Sequence, residues 1–235
     1  MKKYELTNET KTLAGGTVLH RIRALRDIPR FGVEAGELGG FVEGENNLSQ
    51  DGDAWVSGDA EVSVYAKVYG NAWVYGNAKV FGNAEIYGDA LVFGKAWVSG
   101  NAKISGDAEV YGNAWVYGDA EVSGYAKVYG NAWVYGDARV FGKAWVYGDA
   151  EIYGDAEVSG DADYMVIKNI WSSGRWFTYT SSNKKWAVGC FYGTGEELVA
   201  KAYKDSKLSG KCYEAIVHAV ETIEAAKAEA KGEAK

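Results

Sequence analysis

Residues 70–87 read GNAWVY-GNAKVF-GNAEIY, three copies of one six-residue pattern. The pattern runs without a gap from residue 52 to residue 159, and these 108 residues divide into eighteen hexads. The third position is always Ala and the fifth always Val or Ile, whereas the fourth varies. Side chains two apart in a strand share a face, so Ala and Val are predicted to point inward and positions four and six outward. Gly followed by Asn or Asp favours a turn. Each hexad is therefore predicted to be a short strand and a corner.

The variable fourth position indicates how many hexads complete one coil. Stacked strands bring equivalent side chains to about 4.8 Å, where like charges repel. Two hexads per coil would place Lys67 on Lys79 and Glu109 on Glu121. Three hexads per coil bring no like charges together. The 18-residue coil is therefore predicted, with three outward columns: Trp55, Trp73, Leu91, Glu109, Lys127, Trp145; then Glu61, Lys79, Trp97, Trp115, Trp133, Glu151; then Lys67, Glu85, Lys103, Glu121, Arg139, Glu157.

The acidic charge is concentrated in the array. The chain has a net charge of −7, and residues 52–162 carry 15 acidic and 7 basic groups. This surplus argues against binding of a nucleic-acid backbone. The N-terminus has no apolar signal region, and no stretch approaches the roughly 18 apolar residues of a membrane span. A cytoplasmic location and no membrane association are predicted.

The array resembles the hexapeptide-repeat, left-handed β-helix proteins, best known as acyltransferases. Residues 74–79, VYGNAK, follow that family's register of an aliphatic residue, Asn three positions later and a small residue after it. Tyr, Phe or Ser replaces the Gly that often follows the aliphatic residue in the family. The resemblance implies an all-β solenoid, a left-handed parallel β-helix of about six to seven 18-residue coils.

The segments outside the array predict three domains. Residues 1–35 are expected to form an N-terminal β-hairpin cap, residues 36–162 the β-helix, and residues 163–235 a small β-β-β-α-α module. Its last strand is expected at 186–192, and its second helix, from about residue 210, is expected to bury Ile223 and to fray from residue 228. Residues 39–42 (GGFV) and 47–50 (NLSQ) resemble the N-terminal segment of an uncharacterised bacterial and phage family with such arrays. Its members carry acetyltransferase or polymer-forming cytoskeletal names, and the C-terminal module resembles that of phage proteins with the same array.

Residues for catalysis or metal binding are scarce. Hexapeptide acyltransferases use a catalytic histidine and often a projecting loop, yet the array has neither. His20 and His218 lie outside it and are interpreted as structural. Cys190 and Cys212 lack metal-ligand spacing and are expected to be buried thiols. No catalytic residue, metal site or cofactor is predicted, and an enzyme is disfavoured.

Corner carboxylates such as Asp119, Asp137 and Asp155 form a vertical row. Such a row is compatible with a cation ladder. Turn geometry alone explains it and is favoured.

Outward aromatic rows are the strongest candidates for a binding surface. They are equally compatible with self-stabilising ladders and with a protein interface. The predicted binding residues are Trp97, Trp115, Trp133, Tyr117, Tyr135, Tyr153, Tyr111, Tyr129 and Tyr147.

The leading hypothesis is a non-enzymatic binding or assembly scaffold, a phage or prophage accessory protein acting through protein–protein contacts, including against host defence. A homo-oligomer, dimer or trimer, through the aromatic faces is expected, and a host protein is a further candidate partner. The alternatives are an enzyme of hexapeptide acyltransferase descent and an acidic DNA-mimic inhibitor.

Overall fold

The computed structural model describes residues 2–171 and 174–233. The chain divides into two compact units, Met1–Asp161 and Ala162–Lys235. The first unit contains the N-terminal strands and the whole repeat array. The second contains four strands and two helices.

The N-terminal segment forms an antiparallel extension of one solenoid sheet. Strand β1 (Tyr4–Thr12) pairs with β2 (Val18–Ala24), which pairs with β3 (Leu38–Val42). Strand β3 then runs parallel to Glu61–Val62 of the array, with Phe41 opposite Glu61. Short 3₁₀ turns lie at Pro29–Phe31, Glu45–Asn47 and Asp161–Asp163. A bridge from Leu48 to Val68 makes this segment part of a coil ahead of the first hexads.

The eighteen hexads form eighteen two-residue strands on three faces. The first face contains β4 (Trp55–Val56), β7 (Trp73–Val74), β10 (Leu91–Val92), β13 (Glu109–Val110), β16 (Lys127–Val128) and β19 (Trp145–Val146). The second face contains β5 (Glu61–Val62), β8 (Lys79–Val80), β11 (Trp97–Val98), β14 (Trp115–Val116), β17 (Trp133–Val134) and β20 (Glu151–Ile152). The third face contains β6 (Lys67–Val68), β9 (Glu85–Ile86), β12 (Lys103–Ile104), β15 (Glu121–Val122), β18 (Arg139–Val140) and β21 (Glu157–Val158).

The register confirms the predicted solenoid of 18-residue coils. Trp97 lies opposite Trp115 and Lys103 opposite Glu121 in parallel pairs. The three columns are those expected from the charge pattern. Inside, the Ala at position three and the Val or Ile at position five of every hexad are fully buried. Burial of these small and branched side chains removes apolar surface from water and leaves a dry interior.

Glycine is required at the corners because coils approach closely there. Gly100 has a φ of +69°, and a Cβ on it would lie 2.8 Å from the backbone N and O of Gly118. Val64 replaces Gly in the third hexad and keeps a φ of 61°. A β-branched residue in this left-handed region is strained.

The second unit has a four-stranded antiparallel sheet, β22 (Tyr164–Lys168), β23 (Trp176–Thr180), β24 (Lys185–Val188) and β25 (Phe191–Gly193), in that order. Helix α1 spans Gly195–Asp205 and α2 spans Lys207–Glu233. Thr194 and Glu197 form the expected capping box at the start of α1. The core brings Phe177 and Trp186 of the sheet together with Leu198 and Val217 of the helices.

This unit differs from the sequence prediction in three places. The expected third strand over 186–192 is two strands, because a turn with Gly189 at a φ of +58° divides it, so the module is β-β-β-β-α-α. Helix α2 begins three residues earlier than expected and is helical to Glu233, so the expected fraying is wrong over residues 228–233. Residues 234 and 235 lie outside the described residues. Ile223 is 46% exposed and does not belong to the core, because it lies off the stripe that packs on the sheet.

Candidate protein-binding surface

Stacked aromatic rings form a continuous strip on the second face. Adjacent indoles of Trp97, Trp115 and Trp133 have centroids 4.6 and 5.4 Å apart and nearly parallel planes. The phenol rings of Tyr117, Tyr135 and Tyr153 stack beside them at 4.9 and 4.3 Å. These six residues are called the second-face strip below.

The two rows of the strip also contact each other. The Trp133 indole meets Tyr117 at 6.3 Å and Tyr135 at 6.4 Å, both in edge-to-face geometry. Offset and edge-to-face pairs of this kind are favourable. Burial, the main cause, raises the pKa of Tyr117 above its usual range. The strip is therefore a packed layer on the sheet, and no ring in it stands alone.

Because the rings of the second-face strip stack along the solenoid axis, stacking determines which part of each ring faces solvent. Each inner ring uses its flat faces on its neighbours, so ring edges point outward. Trp97 and Trp115 are half-buried, whereas Trp133 is 40% exposed. The edges suit packing against protein side chains, and they leave few flat faces for sugars or bases to stack on.

The first face has a longer ladder of stacked rings, but a charged pair and a covering residue interrupt its apolar surface. Its rings stack at 4.7 to 5.5 Å and belong to Tyr75, Phe93, Tyr111, Tyr129 and Tyr147. Beside them, the Lys127 ammonium pairs with Glu109 at 2.8 Å. Trp73, in the second strand of this face, is covered by Phe31, which stacks on it at 4.7 Å. This contact was not predicted, because Phe31 lies outside the repeat and no period relates it to Trp73.

The third face carries alternating charges. Arg139 lies 3.0 Å from Glu157 and 3.6 Å from Glu121. Among the described residues, Lys67 and Lys103 have no carboxylate within 4.0 Å. The corner row beside this face is held by hydrogen bonds, since Asn83 donates to Asn101 at 2.9 Å and Asn101 to Asp119 at 2.8 Å.

Catalytic groups do not converge in the residues that the structure describes. His20 Nδ1 lies 3.3 Å from the Thr7 carbonyl oxygen, and His218 is exposed on α2. His218 borders a groove of about 520 Å³ between α1 and α2, beside Glu214 and Glu221. A second cavity of about 470 Å³ lies at the Val64 corner, beside Glu43 and Lys67.

Residues 2–171 and 174–233 contain no group of three His, Cys, Asp or Glu side chains able to hold a metal ion. Cys190 and Cys212 are free thiols. The expectation that both are buried is wrong, because Cys190 is exposed in the turn between β24 and β25 and Cys212 is only half-buried.

The geometry defines a repeat β-helix protein, a parallel β-solenoid with three outward faces. Two stretches, residues 84–100 and 132–148, match the family model of the YdcK beta solenoid repeat. Each match covers about one coil, and together with the fold these matches support a repeat β-helix family. No curated protein matches the chain. Neither helix in its described part is long and apolar enough to cross a bilayer.

Proposed function

We propose that this protein is a non-enzymatic binding scaffold and that its second-face strip docks another protein. One observation carries the proposal, namely the uninterrupted strip of Trp97, Trp115, Trp133, Tyr117, Tyr135 and Tyr153 on a rigid sheet. Trp and Tyr dominate the energetics of protein interfaces. Stacking holds these side chains in one conformation, so little side-chain entropy is lost on docking.

The charges around the second-face strip favour a partner with a different sequence. Glu61 and Glu151 occupy the two ends of the same column. Glu61 is buried and paired with Lys11 and Lys79, so it presents no free charge. Two copies packed face to face in parallel would oppose Glu151 to Glu151. Like charges in an interface suppress that pairing. A second copy on the aromatic faces, the first expectation from the sequence, is therefore the less favoured occupant in this proposal.

The phage or prophage role is also a proposal. It is supported by the resemblance of the two ends to phage proteins. Under it, the partner is a protein of the host, and the scaffold acts by occupying a surface of that partner. The cytoplasm is the proposed location.

The test compares two variants that remove equal numbers of stacked rings. Trp115→Ser with Trp133→Ser changes the second-face strip, and Tyr111→Ser with Tyr129→Ser changes the first face. Each protein is immobilised in bacterial extract at about 100 mM and about 500 mM NaCl, and retained proteins are quantified. We expect the wild type and the first-face variant to retain the same protein from the extract at both salt concentrations. We expect the second-face variant not to retain that protein.

Other results point to the alternatives. Equal retention by both variants contradicts docking through the strip. A nucleic-acid-binding protein released from every variant by salt supports the DNA-mimic alternative. Heat released on titration with acetyl-CoA supports an enzyme of acyltransferase descent. Thermal melting of both variants shows whether they are equally folded.

A further inference from the structure

The third face has a charge column of defined length and order. Its six outward residues alternate in sign, one in each coil: Lys67, Glu85, Lys103, Glu121, Arg139 and Glu157. All six side chains reach solvent. The parallel register stacks them directly above one another. An alternating column of six has the property that reading it backwards reverses every sign.

We infer that two copies of this chain pair through their third faces, in antiparallel orientation. The two-fold axis would run along the strand direction, between Lys103 and Glu121. That operation places Lys67 opposite Glu157 of the second copy, Glu85 opposite Arg139, and Lys103 opposite Glu121. By symmetry each pair occurs twice, so all six positions face an opposite charge. Lys67 and Lys103, which have no carboxylate within 4.0 Å in the described chain, gain one.

The row beside the charges fits the same operation. Ser105 would face Ser123 at the centre, where small side chains allow the two sheets to approach. Tyr87 would face Phe141, an apolar pair on either side of that centre. In the corner row Asn101 would face Asp119, an amide opposite a carboxylate. The central pairs of both rows are therefore compatible with the reversed order, and at the ends Tyr69 would face Ser159.

Other arrangements oppose like charges. A parallel two-fold pairing places Lys103 on Lys103 and Glu121 on Glu121. An antiparallel pairing that slips by one coil also brings equal signs together. On the second face, reversal aligns Glu151 with the buried Glu61 and forms no ion pair, and on the first it leaves Glu109 against Leu91. Only the third face is self-complementary over its full length.

The expected dimer is weak and closed. Six rungs about 4.8 Å apart span about 24 Å, and exposed ion pairs are screened by salt. A small polar interface of this kind belongs to the transient class. Because a two-fold operation uses the same surface on both copies, association stops at two and does not produce fibres. The second-face strip stays accessible in such a dimer.

Sedimentation of the full chain tests the pairing at about 50 mM and about 500 mM NaCl. The wild type is expected to dimerise at low salt and to dissociate at high salt. Glu121→Lys makes the two central pairs repulsive, so its dissociation constant is expected to rise at least about tenfold. Lys103→Glu has the same expected effect. An equal mixture of the two variants makes every pair opposite in sign and is expected to form a heterodimer.

The double variant Lys103→Glu with Glu121→Lys separates this dimer from a role within one chain. It breaks the alternation along the column, because the new glutamate adjoins Glu85 and the new lysine adjoins Arg139. It nevertheless restores all six pairs across the dimer. Dimerisation of this variant at low salt supports the inference. A monomeric wild type at low salt, dimerisation of Glu121→Lys, or a monomeric double variant that keeps the wild-type circular dichroism spectrum would overturn it.

Discussion

The ammonium of Lys3 donates a hydrogen bond of 2.7 Å to the carbonyl oxygen of Ala54, and the Lys3 side chain is fully buried. In later coils the equivalent carbonyl accepts from the coil before it, as Ala72 accepts from the Trp55 N–H at 3.0 Å. The first coil has no such neighbour on this face, and the Lys3 side chain takes its place. A buried carbonyl without a donor would cost about 1–3 kcal/mol.

Lys3 should make the stability of the protein depend on pH. Burial, with a smaller effect of Arg26, lowers the pKa of Lys3 to about 8 from an ordinary 10.5. Between these values the unfolded chain binds more protons than the folded one. The free energy of unfolding should therefore rise with pH above about 8, by at most about 1.4 kcal/mol per pH unit. Urea unfolding of the wild type and Lys3→Met, from about pH 7.5 to 9.5, checks this.

The expected signature is a difference between the two proteins that grows with pH. A constant difference over this range would show that Lys3 keeps an ordinary pKa in the folded state. Titration of the tyrosines affects the free energy of unfolding of both proteins alike, so it cancels in the difference between them.

Asn47 caps the third face in a different way. Its Nδ2 donates to the carbonyls of Ala66 and Val64 at 2.9 and 3.1 Å, and its Oδ1 accepts from the Gly44 N–H. Asn47→Ala should reduce the free energy of unfolding by about 2–3 kcal/mol, because it leaves a buried carbonyl without a donor. Asn46→Ala, at the exposed neighbouring position, should change it by less than about 0.5 kcal/mol. Urea unfolding at neutral pH distinguishes the two, and equal effects would contradict the capping role.

Corner glycines should differ according to coil contact. Gly100 and Gly148 have φ values of +69° and +68°, so alanine at either costs about 1–2 kcal/mol. A Cβ at Gly148 meets nothing within 4 Å, whereas one at Gly100 lies 2.8 Å from Gly118. Gly100→Ala should therefore be the more destabilising by at least about 1 kcal/mol. Thermal melting of both variants measures the difference, and similar melting temperatures would argue against close contact between coils.

Val64 tests the same backbone strain in the opposite direction, because glycine here would remove a side chain from a left-handed position. Its backbone has a φ of 61°, and its N–H donates to the Glu43 carboxylate at 2.6 Å. Val64→Gly keeps this hydrogen bond and removes the left-handed strain, so it should raise the free energy of unfolding by about 1 kcal/mol. A loss of stability on urea unfolding would mean that the half-exposed Val64 side chain contributes packing that outweighs the strain.

The stacked Trp residues should stabilise the solenoid in addition to their proposed role in binding a partner. Trp115 stacks on Trp97 and Trp133, so Trp115→Ala should cost about 2–3 kcal/mol. Tyr65→Ala is the control, because Tyr65 is 76% exposed and should matter by less than about 0.5 kcal/mol. Chemical denaturation followed by circular dichroism compares them. Equal stability would indicate that the indoles contribute little to the fold.

Much of the array was predictable because its register repeats. Like charges cannot stack at the spacing of neighbouring strands, so the charges at position four indicate three hexads per coil. The strand register, which places Lys103 opposite Glu121, confirms this. The aromatic rows also follow from the period, and their stacking distances agree with it. Whether the rows bind a partner stays a prediction.

The parts outside the array were less predictable. The turn at Gly189 divides one expected strand into two, because a single glycine inside an apolar run can continue a strand or end it. Ile223 has helical spacing but lies off the stripe of α2 that packs on the sheet, although Glu224 and Lys227 further along the helix still contact Ser181. Cys190 looked like a core residue in an apolar sequence and lies in the turn instead. In each case the outcome depends on which surface covers the segment.

The amino-acid sequence by itself determined the coil length, the inward residues and the composition of the three faces. These properties depend only on residues separated by fixed intervals. Residues 18 apart lie in neighbouring strands, so the interval alone determines which side chains are in contact. Only the tertiary structure decided how the first coil is capped. Lys3 and Ala54 are 51 residues apart, and Phe31 reaches Trp73 from outside the repeat. No period relates such positions, so their contact depends on how the N-terminal segment folds back over the open coil.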